Sequence, residues 1–409
     1  MRILIISQWF DPEPTFKGLA FARYLVGQGH SVEVLTGFPN YPGGSLYPGY
    51  RVKIIQRESA AGVSIIRVPL YPSHSKSVFG RIANYLSFGV SSAVAGILCC
   101  ARSDVIYAYH PPLTVAMSAV VTSGLRRVPL VLDIQDMWPD TLRATGMLRS
   151  ERALRAISKI CCWVYRRADH LVVLSPGFKR LLLDRGVPEE KVDVIYNWSA
   201  ESALASNDLA DVSGTFVARD SRFKVLFAGN MGTAQALSHV IDAAVALERQ
   251  GENVVFWFLG GGVEVEALKE RARVNGLQNV VFFPAVPMDE VGPYLRAADA
   301  LLVHLRNDPL FEVTIPSKTQ AYMAMGKPIV MGVRGDAARL VSESECGVLA
   351  VPENAESIAG AILSIARLDC VDRDRLGRNA CDYYRRELSL AVGAGKFLEL
   401  FQRLIERQR

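Results

Sequence analysis

The chain has 409 residues, half of them apolar and about a fifth charged, with a formal net charge of +5. Its length favours two domains over one compact core, and its ordinary glycine and proline contents exclude a fibrous or disordered protein. Seven cysteines without a C-x-x-C spacing predict neither a zinc site nor a disulfide framework, and they favour a reducing cytoplasm.

Positive charge is concentrated in the first half of the chain. Residues 1–200 hold 23 Lys and Arg against 14 Asp and Glu. Part of this excess lies in one predicted helix, which contains Arg152, Arg155, Arg166 and Arg167. Such charges are consistent with a solvated surface or with a face that meets anionic lipid, and the sequence leaves both open.

Two apolar segments in the first half raise the question of a membrane segment. The apolar run within residues 1–7 is too short for a signal peptide and is soon followed by polar residues, so it predicts a buried strand. Residues 82–100 approach the length of a membrane span, but Asn84 and several serines interrupt them. A buried or surface-lying helix is therefore favoured over a span.

Short apolar runs alternate with helical patterns through the first half. Strands are predicted at 2–6, 31–35, 63–68, 104–109, 130–133, 170–174 and 192–196. Helices are predicted near 18–28, 78–101, 113–125, 150–167 and 176–185. This alternation is typical of a parallel, doubly wound sheet.

Residues 199–222 break the rhythm with Ser, Ala, Asn, Asp and Gly, and they predict a linker. Strands then follow at 223–228, 254–259, 280–283, 300–303, 328–333 and 348–351, with helices between them. The prediction is an α/β protein with two Rossmann-like, doubly wound domains facing a cleft. The first covers 1–198 and is completed by a returning C-terminal helix at 388–409, and the second covers 223–387.

Ligands of such sheets bind beyond the carboxyl ends of the strands. The turn after the first strand lacks G-x-G-x-x-G, which argues against a dehydrogenase. The turn that contains Gly229 and Gly232 brings backbone N–H groups to a helix start, with Asn230 and Gln235 as further donors. This pattern predicts an anion site, although a tight turn that merely needs glycines remains the alternative. The turn at 259–263 would let a flat ligand approach closely.

Two loops of the first domain also carry polar groups. Tyr109 and His110 end a predicted strand and precede two prolines, which hold the histidine in place. The next predicted strand is followed by a run of three acids that includes Asp136. These acids suggest either a metal site or helix capping and hydrogen bonding, and their spacing does not decide between the two.

Lys318 raises a separate question, because it follows Pro316 and Ser317 in the first turn of a predicted helix. The helix macrodipole already makes that end positive, so a cation there is normally unfavourable. Either the side chain is solvated and without consequence, or an anion is bound beside it.

Several segments together resemble the GT-B glycosyltransferases of family 4. The resemblance is closest to the bacterial O-antigen and capsule branch, which includes the N-acetyl-L-fucosamine transferases. It rests on residues 29–42, on Asp-Met-Trp-Pro at 136–139, on Asn-Trp at 197–198, on Gly-Asn-Met-Gly-Thr-Ala-Gln at 229–235, and on Ile-Pro-Ser-Lys-Thr-Gln-Ala-Tyr at 315–322 with Gly-Lys-Pro at 326–328.

This resemblance implies a retaining, metal-independent sugar transfer without a cofactor. The second domain would bind a UDP-sugar, with an N-acetylated deoxysugar expected, and the first would bind a lipid-linked polyprenyl diphosphate saccharide. The protein would be cytoplasmic and peripheral on the inner face of the membrane, with no nucleic acid partner.

Roles for individual residues follow from the same resemblance. Catalytic roles are expected of Tyr109, His110, Glu312 and Lys318. Donor contacts are expected from Gly229, Asn230, Gly232, Gln235, Gly262, Val286, Pro316, Ser317 and Gln320, and acceptor contacts from Lys17, Asp136 and Trp138.

The chain departs from the wider family at two places. Asn230 and Gln235 stand where many relatives have Arg and Lys, which leaves Lys318 as the only cation expected at the diphosphate. The second glutamate of the family is replaced by Gln320 or by Ala321, depending on the register from Glu312 or from the glycine that ends the helix. Two other functions remain open: a UDP-sugar 2-epimerase of the same architecture, and a nucleotide-sugar-binding protein without activity.

Overall fold

A computed structural model describes residues 1–73, 78–144, 147–148, 150–204 and 220–408. The chain divides into two compact units. Unit 1 comprises Met1–Tyr196 and Gly393–Arg409, and unit 2 comprises Asn197–Val392. Each unit is built on a largely or wholly parallel sheet with helical crossovers, which confirms the prediction of two doubly wound domains.

Unit 1 contains an eight-stranded sheet with the order β3-β4-β2-β1-β5-β6-β7-β8. Its strands are β1 (Arg2–Ile6), β2 (Ser31–Gly37), β3 (Gln56–Ala60), β4 (Val63–Val68), β5 (Val105–His110), β6 (Leu130–Ile134), β7 (His170–Val173) and β8 (Val192–Val194). All neighbours pair in parallel except β3, which pairs antiparallel with β4. Strand β3 was not predicted from the sequence, because this edge strand is polar and joins β4 through a turn at Ala61 and Gly62, both with positive φ.

The helices of unit 1 lie in the connections between these strands. They are α1 (Leu19–Gly27), α2 (Val78–Leu98), α3 (Leu113–Arg126), α4 (Asp140–Ala144), α5 (Glu151–Arg167) and α6 (Pro176–Asp184). Right-handed crossovers place α2, α3 and α5 on the same face of the sheet, and α3 contacts both of the other two.

Unit 2 contains a six-stranded parallel sheet with the order β11-β10-β9-β12-β13-β14. Its strands are β9 (Phe223–Ala228), β10 (Val254–Leu259), β11 (Val280–Phe283), β12 (Ala300–His304), β13 (Ile329–Gly332) and β14 (Gly347–Leu349). Every residue of β10 is buried. Its unbroken apolar sequence is typical of a central strand that is covered on both faces.

The helices of unit 2 cover this sheet. They are α7 (Glu201–Leu204), α8 (Ser238–Arg249), α9 (Val265–Val274), α10 (Val291–Ala297), α11 (Pro309–Glu312), α12 (Ser317–Ala324), α13 (Asp336–Glu343), α14 (Ala355–Ala366) and α15 (Cys370–Tyr383). The predicted linker at 199–222 contains α7, and its residues 205–219 lie outside the described part of the chain. The hydroxyl of Tyr384 anchors the described start of this segment, because it is 2.8 Å from Ser199 Oγ.

The last helix, α16 (Leu390–Gln408), belongs to unit 1 from Gly393 onward. Its Phe397 ring lies 5.4 Å from the ring of Tyr107 and 5.5 Å from that of Phe21. These contacts pack the C-terminal helix onto α1 and β5. Among the helices that the structure describes, none is long and apolar enough to cross a membrane.

Candidate functional site

The turns that follow β9 and β10 are in direct backbone contact. Met231 N donates to Gly261 O at 2.7 Å, and Gly229 N donates to Leu259 O at 2.9 Å. A Cβ added to Gly260 would lie 2.1 Å from Gly229 O, and one added to Gly262 would lie 2.3 Å from Met231 O. The glycines at 260 and 262 are therefore required by backbone packing, a reason that the sequence analysis did not find.

The β9 turn leads into a short 3-10 helix at Thr233–Gln235. Gly229 has a φ of +125°, so a side chain there would be strained. The Gln235 side-chain oxygen accepts a hydrogen bond of 3.0 Å from Gly232 N, which occupies one of the donors predicted for an anion. Asn230 remains exposed beside it.

Lys318 extends from the first turn of α12 to the β9 turn. Although the residue keeps some exposed surface, its Nζ is buried and has no hydrogen-bond partner. The Nζ lies 3.6 Å from the centroid of the Phe227 ring and would lie 3.6 Å from a Cβ at Gly229. Burial lowers the pKa of this lysine to about 7. The ammonium is thus held at the glycine turn without a carboxylate to balance its charge.

Tyr322, one helical turn after Lys318, connects α12 to the end of β9. Its hydroxyl accepts a hydrogen bond of 2.9 Å from Ala228 N and donates to Ala228 O at 3.3 Å. The sequence analysis did not identify this residue, although its spacing of four from Lys318 places both on one helix face. Tyr322 fixes the distance between α12 and the residue that precedes Gly229.

Tyr322→Phe is expected to destabilise unit 2 by about 1 to 2 kcal/mol, because Ala228 N would be left buried and unpaired. If unit 2 binds UDP as the sequence predicts, the variant should also bind it severalfold more weakly. Denaturant unfolding and a UDP titration measure the two effects. Tyr384→Phe is the control, since it removes a buried tyrosine hydroxyl from the bond to Ser199. It should cost stability without weakening UDP binding, and equal loss of UDP affinity in both variants would contradict a positioning role for Tyr322.

The remaining predicted residues of α12 differ in exposure. Pro316 precedes the helix and Ser317 is exposed in its first turn. Gln320 is buried. Its amide is oriented so that the side-chain nitrogen donates to Pro316 O at 2.9 Å and to Ser317 O at 3.1 Å. The Gln320 amide therefore stabilises the start of its own helix and faces away from solvent.

Two more predicted donor residues lie on neighbouring loops of unit 2. Glu312 ends α11 with an exposed side chain. A Cβ added to Gly335 would lie only 1.9 Å from the backbone carbonyl oxygen of Glu312. Val286 is half-buried in the loop that follows β11. Because β11, β10 and β9 are adjacent and parallel, the loop of Val286 and both glycine turns lie at the same edge of the sheet.

His304, at the end of β12, is a site residue that sequence reasoning missed. Its Nε2 accepts from Glu353 N at 3.1 Å, so its Nδ1 carries the proton and donates to Gln235 O at 2.7 Å. Burial lowers the pKa of this histidine. A neutral His304 therefore fixes the 3-10 helix of the β9 turn to the end of β12.

Unit 1 brings together a different set of predicted residues. His110 ends β5 and is fully buried, and among the residues that the structure describes neither of its ring nitrogens has a hydrogen-bond partner. Burial lowers its pKa to about 4, so the ring is neutral at physiological pH. Its ring centroid lies 5.9 Å from that of Trp138, in the loop after the neighbouring β6. Because the carboxyl ends of β5 and β6 are adjacent, His110 lies next to the loop that contains Asp136.

Three tyrosines are close enough to Asp136 for its charge to affect their pKa values, and only Tyr109 among them was predicted. Burial raises the pKa of Tyr109, Tyr41 and Tyr85, and the carboxylate of Asp136 contributes to each shift. Burial also raises the pKa of Asp136 itself. The two missed tyrosines come from a proline-rich loop and from α2, which no strand-end pattern in the sequence would have brought to this place.

Lys17, which was predicted to contact the acceptor, is instead buried in the interior of unit 1. Its Nζ lies 2.5 Å from an oxygen of Asp133, and neither side chain is exposed. The hydroxyl of Tyr107 donates to the same Asp133 oxygen at 2.5 Å. The lysine charge is balanced by this carboxylate and has no access to a ligand in the solvent, which corrects the expectation from the sequence.

No candidate metal site accompanies these residues. Within the described ranges, no group of three His, Cys, Asp or Glu side chains is close enough to hold a metal ion. The predictions of a metal-independent reaction and of no cofactor therefore stay predictions.

Comparison with protein families and known proteins gives consistent matches along the chain. Residues 19–198 match the "Glycosyl transferase 4-like domain" and residues 222–367 match "Glycosyl transferases group 1". WcaI of Escherichia coli K12, named as a glycosyl transferase of colanic acid biosynthesis, is 27% identical over 80% of this chain and 82% of its own. WbjE of Pseudomonas aeruginosa, named as a glycosyltransferase, is 26% identical over 70% of this chain and 73% of its own.

Solved structures share the backbone fold at low sequence identity. Alr3699/HepE of Anabaena, crystallised with UDP and glucose, has a TM-score of 0.69 at 18% identity and covers 98% of this chain and 99% of its own. Sucrose-phosphate synthase of Thermosynechococcus elongatus has a TM-score of 0.71 at 17% identity, with 99% of both chains covered. These similarities confirm the predicted GT-B fold.

Proposed function

Because this chain belongs to the GT-B glycosyltransferases, with a family 4-like domain followed by a group 1 domain, we propose that it transfers a sugar from a UDP-sugar to a lipid-linked acceptor in bacterial surface polysaccharide biosynthesis. The name of WcaI supports the polysaccharide, and the UDP bound to Alr3699/HepE supports the nucleotide. An N-acetylated deoxysugar, an O-antigen or capsule product and a polyprenyl diphosphate carrier belong to the same proposal.

The buried and unpartnered Lys318 ammonium carries this proposal. A charge in such a place is costly unless a counterion joins it, and within unit 2 no carboxylate is described next to it. The diphosphate of a UDP-sugar would supply the missing negative charge. The Phe227 ring lies behind the ammonium, with its centroid 3.6 Å from the Nζ, and holds it in place by a cation–π contact.

The proposed reaction requires above all that the protein stabilise negative charge on the leaving diphosphate. As the bond between the sugar and the diphosphate breaks, negative charge grows on the leaving oxygen. Lys318, together with those backbone N–H groups of the β9 turn that do not already donate within the protein, would stabilise that charge from fixed positions. The leaving diphosphate would take the proton of the acceptor hydroxyl, which attacks the same face of the sugar, so the anomeric configuration is retained.

Other residues of unit 2 would bind the rest of the donor. Glu312 is exposed and has no described partner, so it is available to sugar hydroxyls. Val286 and the loop of Gly262 would contact the base. Gln320 is turned toward its own helix, and the register counted back from Gly326, which follows the helix end at Ala324, favours Ala321 as the counterpart of the second family glutamate. Ribose recognition would then come from backbone groups.

The acceptor would bind to unit 1, where Asp136 lies among three tyrosines and next to Trp138. A carboxylate accepts hydrogen bonds from sugar hydroxyls, phenol groups both donate and accept, and an indole ring packs on the apolar face of a sugar. His110 would complete this set at the reacting centre, since its two ring nitrogens lack partners.

His110→Ala is expected to lower kcat/KM by about 10- to 100-fold through loss of a positioned hydrogen-bonding group. UDP affinity should not change, because His110 belongs to unit 1 and the nucleotide to unit 2. Initial rates together with a UDP titration separate these effects. A loss of UDP affinity equal to the loss in kcat/KM would contradict the assignment of His110 to the acceptor side.

Incubation with radiolabelled UDP-sugars, with and without a polyprenyl diphosphate saccharide, tests the proposed function. We expect labelled lipid only when the acceptor is present. Free sugar or an epimerised product without acceptor would support the 2-epimerase instead. UDP-sugar binding without turnover across a panel of acceptors would support a binding protein without activity.

A further inference from the structure

The long helix α2 exposes an unbroken apolar stripe. Six of its residues are between 47% and 84% exposed and follow one another at spacings of three or four: Phe79, Ile82, Leu86, Val90, Val94 and Leu98. Val121 and Leu125 add exposed apolar area at the end of α3. The two helices pack closely, since a Cβ added to Gly96 of α2 would lie 2.6 Å from Thr122 Oγ1 of α3. Exposed apolar surfaces of this kind mark interaction sites.

The serines along α2 do not need water. Ser91 Oγ donates to Pro69 O at 2.6 Å, and Ser87 and Ser92 donate to carbonyls of their own helix. A groove of about 450 Å³ runs beside the stripe between Leu86, Val90 and Leu70. The surface and its groove therefore suit an apolar environment.

A row of positive charge lies on α5, which also packs against α3. This helix exposes Arg152, Arg155, Lys159 and Arg166, together with the half-exposed ring of Trp163. No salt bridge is described for these four cations in the resolved ranges of unit 1. An apolar stripe beside a basic row with a tryptophan is the composition that binds the surface of an anionic bilayer.

We propose that α2, α3 and α5 form a docking face for an anionic lipid bilayer. The α2 stripe would enter the apolar edge of the bilayer, and the α5 row would contact the headgroups. A second copy of this chain fits less well, because a two-fold contact would bring two rows of like charge together.

The position of this face deepens the proposed function, on which this part of the inference rests. The inner side of α2 carries Asn84, whose side-chain nitrogen donates to Asn40 Oδ1 at 3.1 Å, beside Tyr41 of the candidate acceptor site. One helix thus borders the candidate acceptor site with one side and exposes apolar residues on the other. A lipid-linked saccharide could reach Asp136 while its carrier stays in the bilayer.

Sedimentation with vesicles tests the docking face without any sugar transfer, so it can fail independently of the proposed function. The full chain should sediment with phosphatidylglycerol vesicles and at least tenfold less with phosphatidylcholine vesicles. V90E/L98E should lower the bound fraction at least tenfold at both low and high salt, because it places two charges in the stripe. R152E/K159E should remove the preference for the anionic lipid and the sensitivity to salt.

The control variant V274E/V371E changes two valines of unit 2 that are 70% and 65% exposed, and it should bind vesicles like the wild type. Thermal unfolding should be unchanged in all three variants, since each replaced side chain is exposed. The proposal is overturned if V90E/L98E binds as the wild type does, or if the wild type binds no vesicles. It is also overturned if the wild type is a dimer that V90E/L98E converts to a monomer without any vesicle binding.

Discussion

Lys318→Met is expected to lower kcat/KM by about 10³-fold while it stabilises unit 2 by about 2 kcal/mol at pH 7. The activity falls because the diphosphate loses its only expected cation, and the stability rises because a buried ammonium without a partner is removed. The pKa of Lys318 is lowered to about 7, so the unfolded chain binds more protons than the folded one between pH 7 and the ordinary lysine value. Lys318 should therefore contribute a stability increment that rises with pH across that window, and this contribution should be absent in the variant.

Lys224→Met is the matched control for this prediction. Lys224 also belongs to unit 2, but it lies at the opposite end of β9 and forms an ion pair of 3.3 Å with Asp299. Its loss should leave activity near the wild-type level and reduce stability. Steady-state kinetics and denaturant unfolding of both variants give the comparison. Full activity in a folded Lys318→Met protein would contradict the assignment of Lys318 to the diphosphate.

Gly262→Ala is expected to abolish UDP binding, whereas Gly261→Ala should leave it unchanged. At 262 the added Cβ would lie 2.3 Å from Met231 O, and φ is +149°, so the β9 turn must move and the backbone is strained. Together these effects should cost about 3 kcal/mol or more. At 261 the closest atom would be Ala285 Cβ at 3.9 Å, which is an ordinary contact.

Comparison of Gly261→Ala with Gly262→Ala distinguishes a local change in turn geometry from a general loss of the fold. Circular dichroism should show a folded chain in both variants, with a lower unfolding temperature only for Gly262→Ala. UDP binding is measured by calorimetry. If Gly262→Ala bound UDP with wild-type affinity, the contact between the two glycine turns would have no part in shaping the anion site.

The strands of both sheets were predictable because buried parallel strands leave continuous apolar runs between turns. The run at 254–259 predicted β10 with its observed bounds. The polar edge strand β3 carries no such pattern, since one of its sides has no neighbour to bury it. Its hairpin depends on positive φ at Ala61, a residue that seldom adopts it.

At the candidate sites, the sequence predicted residues that follow strands and missed residues that act across elements. Lys318 was identified from its mismatch with the helix dipole, and the structure adds that its Nζ has no partner. Tertiary contacts alone bring Tyr322, His304 and Tyr85 to the candidate sites, so no local sequence pattern marks them. The environment of Lys17 could not be predicted either, because its partner Asp133 is distant in sequence and the pair is visible only after β6 is placed beside β5.

The most direct test is whether Lys318 binds the diphosphate of UDP. It uses calorimetric titration of UDP into the wild-type protein at pH 7.5 and pH 8.5, in buffers of different ionisation enthalpy. With a pKa of about 7 in the free protein, the charged fraction of Lys318 falls roughly eightfold between these pH values. The bound diphosphate requires the charged form, so UDP affinity should fall by nearly that factor, with uptake of almost one proton per UDP. Lys318→Met should show weak binding without pH dependence. Affinity that is equal at both pH values, with no proton taken up by the wild type, would contradict the account.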